Sequence, residues 1–494
     1  MTGANGAVSQ PGFLSYPANP IATYNGVPGA GGTYTAVTPL WGSIPPANNA
    51  YYQAMNKALG ATLKMSPADG NTYDQAVTAM IAGGKLPDWV QLPSWWNATF
   101  KTAELVGTQL ADLTPYLGGD NIKQYPNLAA IPSNVWKVGS YNGKIYGLPS
   151  FFSGQAFSGT IYYRGDVFDS KGIKPSDITS IDALLALGKE LTDAKGGVWA
   201  FEILWTYLTQ PFGIPDKFSA DGSGKLTHKY DLPQFTDALN WAYNLAKSGY
   251  VNPDAMASND NKAKDRFWAG KSLVTGDGTG AWNGSDADSG IAANPGYRRE
   301  AFVPFAADGK STPTISLEGA TSEISYLNAK LSADQIKECL RIADYLAAPY
   351  GSAEYTLINY GISGTDYTMG SGGPQYTDQG KKESQPQTYP FLCTSAQVVS
   401  NPGHDQVTKD ICAWSAQAVK YAYKPVFFEV NLTVPSQLAT ADGAQPVEDT
   451  IKDVIRGRKK VSDFTDAVKG WKARGGNDVI KWYQDYADKN GTGQ

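Results

Sequence analysis

Between Thr33 and Leu92 extended and helical patterns alternate, and this alternation limits the fold more than any other stretch of the chain. Thr33 to Trp41 reads as a strand that ends at Trp41, Gly42 and the Pro45-Pro46 pair. Tyr51, Met55 and Leu59 then recur at helical spacing as far as Gly60, and Ala61 to Met65 returns as a second strand. Tyr73, Val77, Met80 and Ile81 mark a second helix face, closed by Gly83-Gly84 before a strand from Trp89 to Leu92. Strands joined through a helix lie parallel in one sheet with the helix covering its face, so the pattern predicts an α/β architecture. Ligands of such sheets sit beyond the carboxyl ends of the strands. Trp41 follows the first of these ends, and Trp95 and Trp96 follow the third.

A second constraint lies at Tyr141 to Asp169. A turn at Asn142-Gly143 leads into a strand pattern (Lys144 to Leu148), then Phe151, Phe152 and Phe157 among small residues, then another strand pattern (Thr160 to Tyr163). Ser153, Gly154, Ala156, Ser158 and Gly159 leave room for backbone rotation while the Phe rings pack. The stretch reads as a hinge where the chain leaves one compact unit for another.

At 494 residues the chain is long enough for two or more domains, each with its own core. No apolar run is long enough to cross a bilayer as a helix. The net charge of −5, with no basic cluster interleaved with aromatics, excludes a nucleic-acid groove. Two histidines, His228 and His404, are too few for His-based catalysis or a His-rich metal site. Gly270-Lys271-Ser272 lacks the glycine a phosphate loop needs, since Asp265 stands there, and neither G-x-S-x-G nor H-E-x-x-H occurs. The acidic runs near 221 and 286 depart from the calcium-loop pattern. Cys339 falls on a helical face and reads as a buried thiol, whereas Cys393 and Cys412 are either one disulfide or two free thiols. Residues 1–32 carry few periodic apolar positions and no signal-peptide pattern, so they read as a flexible tether. The chain is then either cytoplasmic or one whose export signal has been removed.

Several segments carry a family resemblance in order. "GKIYGLP" followed by "IYYRGDVFDSKGIK", "AGGKLPDWV", "FWAGKSLVTGDGTGAW", "YGSAEYTLINYGISGTDYTM" and the ending "IRGRKKVSDFTDAVKGWKARGGNDVIKWYQDYADK" resemble family 1 extracellular solute-binding proteins. The larger, oligosaccharide-type members that serve carbohydrate ABC transporters are the nearest match. The resemblance implies the two-lobed type II periplasmic-binding-protein fold, with hinge-linked lobes and a central ligand cleft. By analogy, residues 33–154 and 318–372 form lobe one, and residues 155–317 and 373–494 form lobe two. It further implies a cell-surface lipoprotein or periplasmic location through an N-terminal lipid anchor absent from this chain, a permease partner, a monomer and no cofactor.

Such a receptor needs flat aromatics to stack on sugar rings and short polar side chains to pair with hydroxyls. The 13 Trp and 29 Tyr exceed what cores require. Trp41, Trp95, Trp96, Trp205 and Trp282 each lie at or just past an expected strand end, and they are the candidate stacking platforms. Asp277, in the turn GDGTG, and Glu318, at an expected return crossing, are the candidate hydroxyl acceptors, while Arg164 and Asp166 read as a local pair. Two carboxylates and a row of aromatics also describe a glycoside hydrolase. A peptide-binding receptor on the same fold is the other alternative.

Overall fold

The structure, a computed structural model, describes residues 1–152, 157, 159–319, 321–384, 388–430, 432 and 434–493. The strands of its two larger sheets are β1 (Thr33–Val37), β2 (Thr62–Met65), β3 (Trp89–Gln91), β4 (Gly147–Phe152), β5 (Thr160–Arg164), β6 (Trp199–Phe201), β7 (Ser272–Asp277), β8 (Arg299–Ala301), β9 (Ile324–Leu327) and β10 (Thr394–Gln397). One sheet runs β10-β4-β9-β3-β1-β2 and the other β6-β7-β5-β8. In the first, β1 lies parallel to both β2 and β3, as the opening alternation requires. The helix between β1 and β2, α1 (Ala50–Leu59), starts where the Asn49 side chain accepts from the Tyr52 N–H and stops where Gly60 takes φ 62°. Its Tyr51, Met55 and Leu59 are buried against the sheet.

Each sheet has its own core. Tyr34, Trp89, Leu148 and Leu327 of the first sheet pack with α1 and with Cys339 and Leu340 of α2 (Ala333–Leu346), whose start carries the Ser332–Gln335 capping box. Ile161, Phe201 and Val274 of the second sheet pack with Leu184, Leu239, Val447 and Phe464 from the helices on its faces. A third cluster lies between them. It gathers Phe157, Leu317 and Val399, one from each segment that passes between the sheets, around Trp282 and Trp414. Phe157 also pairs with Leu317 as an isolated antiparallel bridge. The expected hinge residues Ser153, Gly154, Ala156 and Ser158 lie outside the described residues.

β9 pairs antiparallel with both β3 and β4 and completes the middle of the first sheet. Past β8, Phe302 and Phe305 turn into the core beside Pro304, which has no N–H to give a ladder. Two expectations are corrected. β10 belongs to the first sheet although it lies past residue 372, because Thr394 pairs parallel with Ser150. Residues 1–32 are no loose tether. The Phe13 N–H donates to Val399 O (2.9 Å), and the Val399 N–H donates to Pro11 O (3.1 Å), so this segment pairs with the third crossing. Ala7 is buried in the central cluster, Tyr16 packs among Tyr350, Tyr355 and Tyr360, and the Glu354 carboxylate accepts from the Thr23 and Tyr24 N–H groups.

All three cysteines are free: Cys339 and Cys393 are buried, Cys412 half-buried. Arg164 and Asp166 form the local pair at 2.7 Å. Glu354 is the charged anchor of the N-terminal segment. Glu354→Ala is expected to cost about 1–3 kcal/mol by orphaning those donors. Urea unfolding measures the loss, and limited proteolysis should then trim residues 1–24 faster than in the wild type. Equal trimming rates would show that Glu354 does not hold the segment.

Candidate functional site

Parallel neighbours end side by side, so the chain leaving β1 and the chain leaving β3 meet. Trp41 comes from the first exit, and Trp95 and Trp96 come from a short 3₁₀ turn after Pro93 at the second. Their rings touch. Trp41 stacks on Trp96 (centroids 6.3 Å, 22°), Trp95 tilts against both, and Trp96 stacks in turn on Tyr73 (5.8 Å, 26°). Tyr73 starts the helix before β3, and its hydroxyl donates to Gln91 O at 2.8 Å, which holds the base of the stack to the strand end. Gly70 leaves room for the Trp41 indole, since a Cβ there would lie 2.4 Å from Cε2. Trp41 and Trp95 remain 37% and 45% exposed, so the cluster presents an open aromatic platform.

The turn that carries this platform hangs from the segment between Leu317 and β9. The Leu92 N–H donates to Ile324 O and the Ser94 N–H to Ser322 O, both at 2.8 Å, while the Ser150 N–H of β4 donates to Glu323 O at 3.0 Å. This segment also carries Glu318 and Glu323. Both residues are half-buried. Burial first, and then the nearby Asp216 charge, pushes Glu318 up to about 7. Burial and the charge of Glu318 push Glu323 up to about 8. Asp216, reached by the Ser316 hydroxyl at 3.3 Å, is likewise raised, chiefly by burial. From the second sheet, Tyr207 lays its ring over the bare backbone of Gly159 and Gly276, where a Cβ would come within 2.1 and 2.0 Å of it. Burial raises its hydroxyl, and the charges of Asp277 and Glu318 raise it further.

The structure thus brings Trp41, Trp95 and Trp96 together, the last two on a turn hydrogen-bonded to Ser322 and Ile324 of the chain that also carries Glu318. Asp277 ends β7, where Arg299 (3.2 Å) and the Gly278 N–H (2.9 Å) hold its carboxylate. Trp205 joins the core of the second sheet, edge-on to Phe235 at 5.4 Å. Trp282 is 3% exposed, enclosed by Tyr162 and Trp414 in the central cluster, so it offers no free face. Sequence reading missed Glu323, Asp216, Tyr73 and Tyr207. The first lies in the unrecognised approach to β9, and the other three carry no local pattern that separates them from ordinary turn and core residues.

Among the described residues no group of three or more His, Cys, Asp or Glu is placed to hold a metal ion. The two acidic runs serve their own loops. Asp221 accepts from the Ser223 and Lys225 N–H groups, and Asp286 accepts from Trp268 and Tyr297 and forms an ion pair with Arg299 at 3.0 Å. No helix of the described residues is long and apolar enough to cross a membrane.

A family model described as bacterial extracellular solute-binding protein matches residues 41–354. Lipoprotein LipO of Bacillus subtilis is 22% identical over 481 residues, 93% of each chain. The polygalacturonan/rhamnogalacturonan-binding protein YtcQ of the same organism is 22% identical over 472 residues, 90% of this chain and 89% of its own. Among solved structures, alginate-binding protein AlgQ2 superposes with a TM-score of 0.65 at 16% identity, covering 95% of this chain and 100% of that one.

The raised carboxyls of Glu318 and Glu323 set a pH dependence. Each holds a proton in the folded chain at pH values where an unfolded chain, at the ordinary 4.5, has released it. Their contribution to stability is therefore full below the ordinary value and drains as pH rises to about 8. Glu318→Gln/Glu323→Gln should gain in Tm relative to the wild type between pH 5 and pH 8. A difference that stays flat across that window would refute the raised values.

Proposed function

As this chain belongs to the bacterial extracellular solute-binding protein family, we propose that it captures an oligosaccharide between its two lobes and delivers it to the permease of an ABC importer. The observation that carries the reading is the exposed Trp41-Trp95-Trp96 platform, fixed by backbone hydrogen bonds to the segment that bears Glu318. A sugar ring stacks on such a surface through its C–H face, and its hydroxyls donate to carboxylates at the edge. Relatives named for polygalacturonan, rhamnogalacturonan and alginate support a carbohydrate ligand.

In this reading lobe one holds residues 33–154 and 318–372, joined by β10, and lobe two holds the rest of the chain after residue 32. Trp41, Trp95, Trp96 and Glu318 bind from lobe one and its crossing, and Asp277 and Tyr207 approach from lobe two. Contacts made by both lobes exist together only when the cleft is shut, so the ligand shifts the population from open to closed. The closed form docks on the permease, whose ATPase subunits supply the energy. The protein acts as a monomer without catalysis or cofactor. It works outside the cell membrane, held by an N-terminal lipid, in keeping with the lipoprotein name of its relative LipO.

Calorimetric titration with neutral and acidic oligosaccharides, followed by chromatography of the sugar, tests this reading. The expected result is saturable binding with the sugar recovered intact and a fall in the radius of gyration by X-ray scattering. Cleaved sugar would establish a hydrolase instead. Trp95→Ala, at a position 45% exposed, should weaken binding about tenfold, or about 1.4 kcal/mol, and leave Tm within about 1–2 °C of the wild type.

A further inference from the structure

We infer that residues 3–32 form a fourth crossing between the lobes, a releasable strap that limits how far they swing, an inference that rests on the two-lobed reading and adds a restraint on its motion. One end of the segment lies on the body of the second sheet. The Asn5 side-chain amide donates to Ala422 O at 2.7 Å, and Gly3 lies so close to Val419 that a Cβ there would come within 2.1 Å of its carbonyl oxygen. Ala7 is fully buried in the cluster that holds Trp282 and Trp414. These partners belong to the second body: Ala422 pairs parallel with Ile315, and the Trp414 indole donates to Phe302 O at 3.0 Å, just past β8. The other end lies on the first body. The Tyr16 and Thr356 hydroxyls share a buried hydrogen bond at 2.7 Å, and the Ala353 N–H donates to Ile21 O at 2.9 Å. Further on, the Gly29 N–H donates to Leu59 O at the end of α1 (2.7 Å), and the Ala30 and Gly32 N–H groups donate to Glu338 of α2 (2.6 and 3.0 Å).

Little chain separates the two holds. Pro11 and Phe13 are bonded to Val399 on the third crossing, so only Val8, Ser9 and Gln10 intervene after Ala7. Three residues span about 10 Å when fully extended. Movement of one lobe against the other must therefore bend the strap together with the Val399 crossing, or pull residues 3–7 from their seat. The grip is uneven. On the first body it is made of carboxylate and main-chain bonds; on the second it is made of the Asn5 amide and small residues fitted against backbone. Weakly held segments open locally while the fold persists, so the seat of residues 3–7 is the part that lets go. A thiol reports on it. Gly12 covers Cys412, since a Cβ at Gly12 would lie 2.4 Å from Sγ, and Sγ lies 3.9 Å from Gln10 O. Cys339 and Cys393, by contrast, are enclosed in the first core.

The test is made on the full chain without sugar. Ala7→Asp puts an unpaired carboxylate into the buried seat, and Gly3→Val drives a side chain into the Val419 backbone. A chain lacking residues 2–10 gives the same release without placing a new group in the cluster. Two readouts follow each variant. The first is maleimide labelling of Cys412, expected to run about tenfold faster than in the wild type while Cys339 and Cys393 stay unreactive. The second is double electron–electron resonance between nitroxides at Lys85→Cys and Lys195→Cys, exposed positions on the first and second lobe, in a Cys412→Ser background. The expected result is a broader distribution of inter-lobe distances in all three variants than in the wild type. Faster labelling with an unchanged distribution would show a segment that detaches without restraining anything, and would overturn the inference. So would labelling and distribution both equal to the wild type. A wild-type distribution that no oligosaccharide of the calorimetric series shifts would count instead against capture by closure, and leaves the sugar-free comparison to decide the strap.

Discussion

The short ladder that β9 makes with β3 on one side and β4 on the other is the interaction on which the rest of the molecule depends. Without it the first sheet would fall into two pieces, because β10 and β4 reach β3 only through it. The same ladder, extended by the Ser94 to Ser322 hydrogen bond, suspends the Trp95-Trp96 turn from the chain that passes between the lobes. Sheet integrity, aromatic platform and crossing are therefore one piece of backbone. A shift in that segment moves the platform with it, and strand hydrogen bonds resist the distortion in a way that a loop resting on side chains would not.

The electrostatics follow from that placement. A segment that must pass between two lobes is surrounded on several sides, so carboxyls carried on it lose water even where a path to solvent remains. Glu318 and Glu323 are raised for that reason first, and by a neighbouring carboxylate second, Asp216 for Glu318 and Glu318 for Glu323. Arg299 shows the opposite solution for a buried charge. It lies over Tyr162 and Phe267 and is compensated by two aspartates.

Sequence was most informative where a period or a cap decides local structure. The α1 face and its end follow from the spacing of Tyr51, Met55 and Leu59 and from Gly60, and the meeting of Trp41 with Trp95 and Trp96 follows from parallel strands ending together. It was least informative where tertiary contacts decide. β9 has four residues, all buried, and its partners lie more than 170 residues away. The N-terminal segment has the composition of a linker, yet Glu354 and Val399 supply the donors and acceptors that hold it. Trp282 and Trp95 both follow strand ends, and only packing from a distant helix residue, Trp414, makes one a core residue and leaves the other open.

That division of labour among tryptophans bears on how such a chain can change over generations. The pivot residues Phe157, Leu317, Val399, Trp282 and Trp414 form one aromatic and aliphatic knot, and none of the platform rings belongs to it. Under the proposed function, substitutions at Trp41 or Trp95 would trade one cargo for another while this knot is inherited intact. A change in the knot would instead alter closure for every cargo at once.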